Sequence, residues 1–187
     1  AGEVIFRNWE VRHYEDEEID RFNCIRHGLD WGFYPDPFRY IKVHIDMKRK
    51  EIHMIREVNL LEATNDKSAK MIKPYLEPNY YPIKGDSAEP KSIKDYQTNY
   101  GIRIVGAKKG PGSVETGNKK IQEFKVYISD ECPETIKDFT FYKRKKDKNG
   151  NVTSEPIDAF NHSIDPLRYI LEDFTTVPKA VTVKGLR

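Results

Sequence analysis

Two stretches of regular alternation between apolar and polar residues constrain the fold of this chain more than any other feature. The first runs from Phe38 to Asp46, and the second runs from Ile52 to Leu60 after a short charged turn. A repeat of two residues places alternate side chains on opposite faces of a β-strand. Because the turn between them is short, the two strands are predicted to pair in an antiparallel manner.

A third strand is predicted ahead of this pair. From Phe22 to Asp30, β-forming residues lead into Gly28 and then a carboxylate. The segment Tyr34–Pro37 follows and contains two prolines, which block a helix and favour a tight bend. The three strands together predict an antiparallel meander.

The rest of the chain alternates between helical and strand patterns. Helices are predicted over 66–73, 90–100, 114–124, 133–142 and 161–172, short strands over 82–86, 102–105 and 125–129, and a β-hairpin over 143–153. This order predicts an α/β fold with a mixed sheet, in which the antiparallel meander continues into parallel strands and helices cover both faces.

The length of 187 residues suits one domain. Residues 1–21 are polar and irregular and are predicted to be a lead-in or linker segment, residues 22–176 to form the domain, and residues 177–187 to be a tail. The start without Met is typical of a fragment of a longer protein. No apolar run approaches membrane-spanning length, so no membrane partner is expected.

Charge and cysteine content exclude some classes of site. The formal net charge of +2 is close to balance, so any basic surface for nucleic acid has to be local. Cys24 and Cys132 are the two cysteines, which gives neither a disulfide framework nor a pair of closely spaced cysteines for zinc.

Two of the predicted strands finish by presenting a carboxylate, at Asp30 and at Asp86. If these strands are neighbours, the carboxylates lie side by side at one sheet edge, where a cation has to neutralise their repulsion. His162 and Asp165 are three residues apart and share a helix face, so Asp165 is a candidate third carboxylate. Hard oxygen ligands favour Mg²⁺ or Mn²⁺, and such a set can hold two ions for phosphodiester hydrolysis.

Each of these residues also has an ordinary interpretation. Asp86 precedes Ser87 and could cap the following helix. His162 could be a surface histidine, and Asp165 could favour the first turn of its helix.

Three motifs occur in the order found in one known family. Gly28-Leu29-Asp30-Trp31-Gly32-Phe33, Gly85-Asp86-Ser87-Ala88-Glu89-Pro90 and Asn161-His162-Ser163-Ile164-Asp165-Pro166 resemble the motifs of bacteriophage large terminase nuclease domains. The resemblance spans roughly residues 22–171. Pro166 and Gly85 depart from it, since the family commonly has a small residue such as Ala at each position. Because proline is comfortable in a helix only in the first turn, Pro166 predicts either that the helix begins close to Asp165 or that it is distorted there.

The resemblance implies a ribonuclease H-like endonuclease that cuts concatemeric double-stranded viral DNA during genome packaging, in the cytoplasm of an infected bacterium. It implies that Asp30, Asp86 and Asp165 bind the metal ions, with His162 beside them as a further catalytic residue and Asp36 and Glu89 as accessory acids. The implied partners are an ATPase motor domain in the same full-length protein, a small terminase subunit and a portal protein. No P-loop is found, so the chain is expected to be the nuclease domain alone.

Basic residues are predicted to hold DNA near the acidic site. They lie in a Gly/Pro-rich loop and in the hairpin, which is expected near the site, and comprise Lys108, Lys109, Lys143, Arg144, Lys145, Lys146 and Lys148. Two other functions stay open on the sequence. One is a resolvase that prefers branched DNA, and the other is a DNA-binding or assembly module without catalysis.

Overall fold

A computed structural model of the protein describes residues 3–174. Its main sheet contains seven strands, and a separate two-stranded hairpin follows in the last third of the chain. The strands are β1 (Trp9–Arg12), β2 (Ile25–Asp30), β3 (Phe38–Asp46), β4 (Glu51–Leu60), β5 (Ile83–Gly85), β6 (Ile104–Gly106), β7 (Lys125–Ser129), β8 (Arg144–Lys146) and β9 (Val152–Pro156). The helices are α1 (Asp16–Ile19), α2 (Asn65–Ile72), α3 (Pro90–Asn99), α4 (Ser113–Gln122), α5 (Pro133–Phe141) and α6 (Ile164–Leu171), and a 3₁₀ turn (Lys73–Tyr75) follows α2.

The strand order is β1-β7-β4-β3-β2-β5-β6. β3 runs antiparallel to its neighbours β2 and β4, and the other pairs in this sheet are parallel. The meander predicted from alternation is therefore confirmed, as is its continuation into parallel strands through crossover helices.

Helices cover both faces of the sheet, and β4 contributes side chains to both core layers. The pairing of β3 with β4 shifts between Lys42 and Val43, which leaves Ile55 as the extra residue of a bulge. Before the bulge, Met54 packs in the layer that contains residues of α4, α5 and α6. After it, Val58 packs in the layer that contains residues of α2 and α3.

The prediction that residues 1–21 lie outside the core is wrong for part of that segment. Ile5 and Phe6 are 7% and 4% exposed and belong to the core layer of α4, α5 and α6. β1 pairs in parallel with β7, with Trp9 opposite Val126. The segment carries little alternation because it is short, and its partner strand lies more than a hundred residues downstream.

Two further predictions concern the ends of the chain and membranes. Residues 177–187, predicted to be a tail, lie outside the described residues. None of the helices within residues 3–174 is long and apolar enough to cross a membrane.

Candidate active site

Asp30 and Asp86 lie side by side because the strands that precede them are parallel neighbours. In the pairing of β2 with β5, Leu29 is opposite Gly85, and each is followed by its aspartate. The Asp86 side chain does not cap α3, whose N-cap is Glu89. Its Oδ1 instead accepts a hydrogen bond from the backbone N–H of Ala88 at 2.8 Å, which fixes the turn that leaves the strand.

Asp165 reaches the same edge on α6, which packs closely against β2. A Cβ added to Gly28 would lie 2.8 Å from the carbonyl oxygen of Pro166, so the glycine is needed for this approach. Pro166 is the third residue of α6, where its missing N–H breaks no helical hydrogen bond. Of the two alternatives that Pro166 predicts, the structure shows the first, a helix that begins close to Asp165.

The charges of the three aspartates act on one another. Burial raises the pKa of Asp30, the charges of Asp165 and Asp86 raise it further, and the hydrogen bond with His162 opposes the rise. Burial also raises the pKa of Asp165, against the ion pair with Arg168. Both carboxyl groups therefore lie where a positive charge would stabilise their ionised form.

Two side-chain cations already hold two of these carboxylates. Lys109 Nζ lies 2.5 Å from Asp86 Oδ1, and an Arg168 guanidinium nitrogen lies 2.5 Å from Asp165 Oδ1. Within residues 3–174, no three His, Cys, Asp or Glu side chains are gathered closely enough to hold a metal ion as they stand. The donor set of three carboxylates nevertheless fits a hard divalent ion such as Mg²⁺ or Mn²⁺.

His162 lies beside Asp30, and the two accessory acids differ in position. The Nδ1 of His162 is 3.4 Å from Asp30 Oδ2, and its Nε2 is 3.8 Å from Asp36 Oδ1. Burial lowers the pKa of His162, but the hydrogen bond with Asp30 and the charges of Asp138 and Asp30 outweigh it and raise the pKa overall. Glu89 is exposed at the start of α3. None of the contacts described within residues 3–174 links its side chain to the site.

A buried network holds the start of α6, and no sequence pattern predicts it. Arg39 is 1% exposed, and one of its guanidinium nitrogens donates to Asp138 at 2.8 Å and to the Ser163 hydroxyl at 2.7 Å. Asp138 also accepts the backbone N–H of Ser163 at 2.8 Å. Since Ser163 lies between His162 and Asp165, this network positions both. Only the fold brings together residues so far apart in the chain.

Two aromatic residues complete the surroundings. Trp31 packs edge-on against Tyr96, and its indole N–H donates to the backbone carbonyl of Asp86 at 3.1 Å. Tyr169 is buried, and its hydroxyl pKa is raised by burial first and then by the charges of Asp165, Asp30 and Asp86. Tyr169 therefore lies within electrostatic reach of all three aspartates.

The predicted DNA-binding residues fall into two groups. Lys109 contacts Asp86, and both Lys108 and Lys109 line a cavity of about 540 Å³ that Asp165 also lines. The hairpin residues lie on β8 and beside it, where Lys146 pairs with Glu3 and Lys145 pairs with Glu155. Lys109 and Lys108 thus adjoin the acidic site, while part of the charge of the hairpin is neutralised locally.

Comparison with known proteins decides the family. The family model of the terminase RNase H-like domain matches residues 30–173. The chain belongs to this family. Its sequence is 35% identical over 180 residues to the large terminase subunit of Bacillus phage SPP1, covering 92% of this chain and 42% of that protein. It is 33% identical over 150 residues to the PBSX phage terminase large subunit of Bacillus subtilis (strain 168), covering 80% of this chain and 34% of that protein.

A solved structure agrees with the terminase assignment. The nuclease domain of the SPP1 large terminase, crystallised with bound Mn, matches with a TM-score of 0.83 and 34% identity over 92% of this chain and 99% of that chain. The ribonuclease H-like fold predicted from the sequence is therefore confirmed. This terminase chain spans less than half the length of the two phage proteins. Membership of the family implies a nuclease of the hydrolase class.

Proposed function

We propose that this chain is an endonuclease that cuts double-stranded viral DNA concatemers during genome packaging, by phosphodiester hydrolysis with two divalent metal ions. The observation that carries the proposal is the meeting of Asp30, Asp86 and Asp165 at one sheet edge. They come from three separate elements, in a chain of the terminase RNase H-like family. A fold alone would not support a reaction, whereas three carboxylates at one sheet edge support a metal-dependent one.

Mg²⁺ or Mn²⁺ is the proposed cofactor, held by the three aspartates. Support comes from the oxygen donor set and from the Mn bound to the SPP1 nuclease domain. When bound, such ions polarise the phosphate and activate the attacking water. Lys109 and Arg168 orient Asp86 and Asp165 through their ion pairs, and they supply positive charge close to where a phosphate must lie.

His162 is proposed to keep Asp30 oriented. Its Nδ1 lies 3.4 Å from Asp30 Oδ2, and its Nε2 lies 3.8 Å from Asp36 Oδ1. Asp36 and Glu89 remain candidate accessory acids. The approach of Asp36 to His162 supports a role for Asp36.

DNA is proposed to be held through its phosphates by lysine and arginine. Lys108 and Lys109 lie next to the acidic edge, and the hairpin supplies Lys143, Arg144, Lys145, Lys146 and Lys148. Contacts of this type depend on salt and carry little sequence preference.

The longer protein and its partners are also part of the proposal. We infer that residues 22–176 form the nuclease unit, extended by the N-terminal strand, within a full-length large terminase that also carries an ATPase motor. A small terminase subunit and a portal protein would be its partners in the cytoplasm of the infected bacterium. These assignments rest on the relatives being large terminase subunits.

The first test replaces each aspartate by asparagine and measures cleavage of plasmid DNA with Mn²⁺ or Mg²⁺. Asp30→Asn, Asp86→Asn and Asp165→Asn keep the size of the side chain and remove its charge. Each is expected to lower the cleavage rate about a hundredfold or more, because metal-ion catalysis supplies several kcal/mol of barrier lowering. Calorimetric titration with Mn²⁺ should show weaker binding by the same variants.

A matched control is Asp46→Asn. Asp46 is the last residue of β3 and lies opposite Glu51 of β4 in the strand register, at the end of these strands away from Asp30. The variant is expected to cleave like the parent. Equal rates in all four variants would refute the proposal, and parent protein that takes up no Mn²⁺ would favour a module without catalysis. A strong preference for four-way junctions over plain duplex would favour a resolvase instead.

A further inference from the structure

Two exposed aromatic side chains stand next to the proposed active site. Phe33 and Tyr34 are 58% and 69% exposed, the highest values of the large hydrophobic residues within residues 3–174. They are adjacent in the chain and begin three residues after Asp30. Single exposed apolar residues are ordinary, but an adjacent pair beside a site points to a partner.

The loop that carries this pair is fixed on both sides. The carbonyl oxygen of Phe33 accepts the backbone N–H of Glu62 at 2.7 Å, which ties the loop to the end of β4. Trp31 donates to the carbonyl of Asp86, and Asp36 faces His162. A Cβ added to Gly32 would collide with the carbonyl oxygens of Pro37 and Asp36, so the loop folds back tightly on itself. The two rings are therefore presented on a backbone that is tied to the site.

The charge of this loop argues against a phosphate contact. Residues 31–38 contain no lysine or arginine and do contain Asp36. An uncharged aromatic pair instead suits the faces of nucleic-acid bases, on which aromatic side chains stack. Bases of a regular duplex are already stacked on one another, so a ring reaches them only where a base step is opened.

We propose that Phe33 and Tyr34 stack on a base where the DNA duplex is locally unstacked beside the phosphate that is cut. The preferred substrate is then duplex DNA with a weakened base step, such as a pyrimidine–purine step or a mismatch, over regular duplex. This rests on the proposed nuclease function, and it adds a determinant of substrate choice to it.

The test compares a regular duplex with the same duplex carrying one mismatch. Binding is measured by fluorescence anisotropy with Ca²⁺, and cleavage at saturating DNA is measured with Mn²⁺. The parent is expected to bind the mismatched duplex about tenfold more tightly. The double variant Phe33→Ala/Tyr34→Ala is expected to lose this preference and about tenfold or more of its affinity for the mismatched duplex. Since no phosphate contact is removed, the slope of log affinity against log salt should stay unchanged.

Two controls keep the result specific to stacking. Tyr34→Phe keeps the ring and should bind like the parent. Tyr81→Ala removes another aromatic side chain, which is 43% exposed. Tyr81 lies two residues before the start of β5, whereas Asp86 follows the end of that strand. This variant too should bind like the parent.

A double variant that binds and discriminates as the parent does would overturn the stacking proposal, as expected if the pair instead contacts another part of the longer protein. A parent without preference for the mismatch would also overturn it. A parent that cuts neither duplex in Mn²⁺ would instead overturn the proposed nuclease function, so the two failures are distinguishable.

Discussion

The missing side chain at Gly28 allows α6 to lie against β2 and to carry Asp165 to the sheet edge. A methyl group at this position would clash with the backbone of α6, because the Pro166 carbonyl oxygen would be 2.8 Å away. Gly28→Ala is therefore expected to lower the free energy of unfolding by about 1–3 kcal/mol, the usual cost of overpacking. It should also lower the cleavage rate by roughly tenfold or more, since small displacements of a catalytic group are costly.

Urea unfolding and plasmid cleavage below the unfolding transition would measure the two effects of Gly28→Ala. Gly85→Ala is a suitable comparison for stability, because its added methyl group meets the flexible ends of Ile104 and Leu29 at 3.0 and 3.3 Å. A smaller loss of stability is expected there. Equal losses at both glycines would contradict the idea that α6 cannot move away from β2.

The lowered pKa of His53 predicts that the protein loses stability in mild acid. Burial first, and then the charges of His44 and Arg12, lower its pKa from 6.5 to about 4, and the Tyr14 hydroxyl forms a hydrogen bond with its Nδ1 at 2.7 Å. Because the folded state binds this proton less readily than the unfolded chain, the stabilising contribution is complete above pH 6.5 and is lost as the pH falls towards 4. The full loss is about 3 kcal/mol at one pKa unit per 1.36 kcal/mol.

The pH dependence is tested by urea unfolding of the parent and of His53→Phe at pH 7.5 and 5. The variant should be less stable at the higher pH, because Tyr14 loses its hydrogen-bond partner. It should lose less stability than the parent between the two pH values. The same loss in both proteins would show that other groups, such as His44, carry the pH dependence.

The contacts among β3, α5 and the start of α6 include a buried ion pair between Asp138 and Arg39. Asp138 is 2% exposed and pairs with Arg39 at 2.8 Å. Asp138→Asn leaves Arg39 with only the more distant carboxylate of Glu134, and removing one partner of a buried pair typically costs about 3–5 kcal/mol. Because Asp138 also accepts the Ser163 N–H, cleavage should fall by more than the folded fraction explains.

The Asp138 variant is compared with Glu134→Gln by thermal unfolding and by cleavage at a temperature where both are folded. Glu134 is 3.8 Å from Arg39 and partly exposed, so its loss should cost less than about 1 kcal/mol. Full cleavage by folded Asp138→Asn would mean that the network supports the fold without positioning His162 and Asp165.

The sequence predicted some elements more closely than others, for a physical reason. β3 was predicted at its observed bounds because alternation is a property of the strand itself, and a turn of a few residues fixed its partner β4. β1 falls in the segment predicted to be a linker, since it has four residues and is stabilised by pairing with the distant β7. Local patterns thus revealed elements whose partners are near in the chain.

The same distinction holds for the site as a whole. Asp30 and Asp86 could be predicted as neighbours, because each ends a strand and parallel strands share an edge. Three matched motifs supplied Asp165. The pairs Lys109–Asp86 and Arg168–Asp165 were not predicted, because spacing does not show which cation reaches which acid. The candidate metal ligands can thus be predicted from the sequence, whereas the cations that pair with them are known only from the folded structure.

The stability of the whole molecule is expected to depend on contacts of the N-terminal segment that no sequence pattern predicts. Phe6 is 4% exposed and packs against Phe139 with ring centroids 5.1 Å apart. Phe6→Ala is expected to cost about 3–5 kcal/mol in urea unfolding. Val11→Ala, at a side chain that is 45% exposed on β1, should cost less than about 0.5 kcal/mol.

A chain that starts at Phe22 extends this prediction to the whole segment. It loses β1, so the edge of β7 becomes available for pairing with other molecules, and it loses the buried Ile5 and Phe6. We expect it to unfold at lower urea concentration than the parent and to aggregate at concentrations where the parent stays dispersed, as measured by light scattering. A truncated chain as stable and as dispersed as the parent would restore the interpretation of residues 1–21 as a linker.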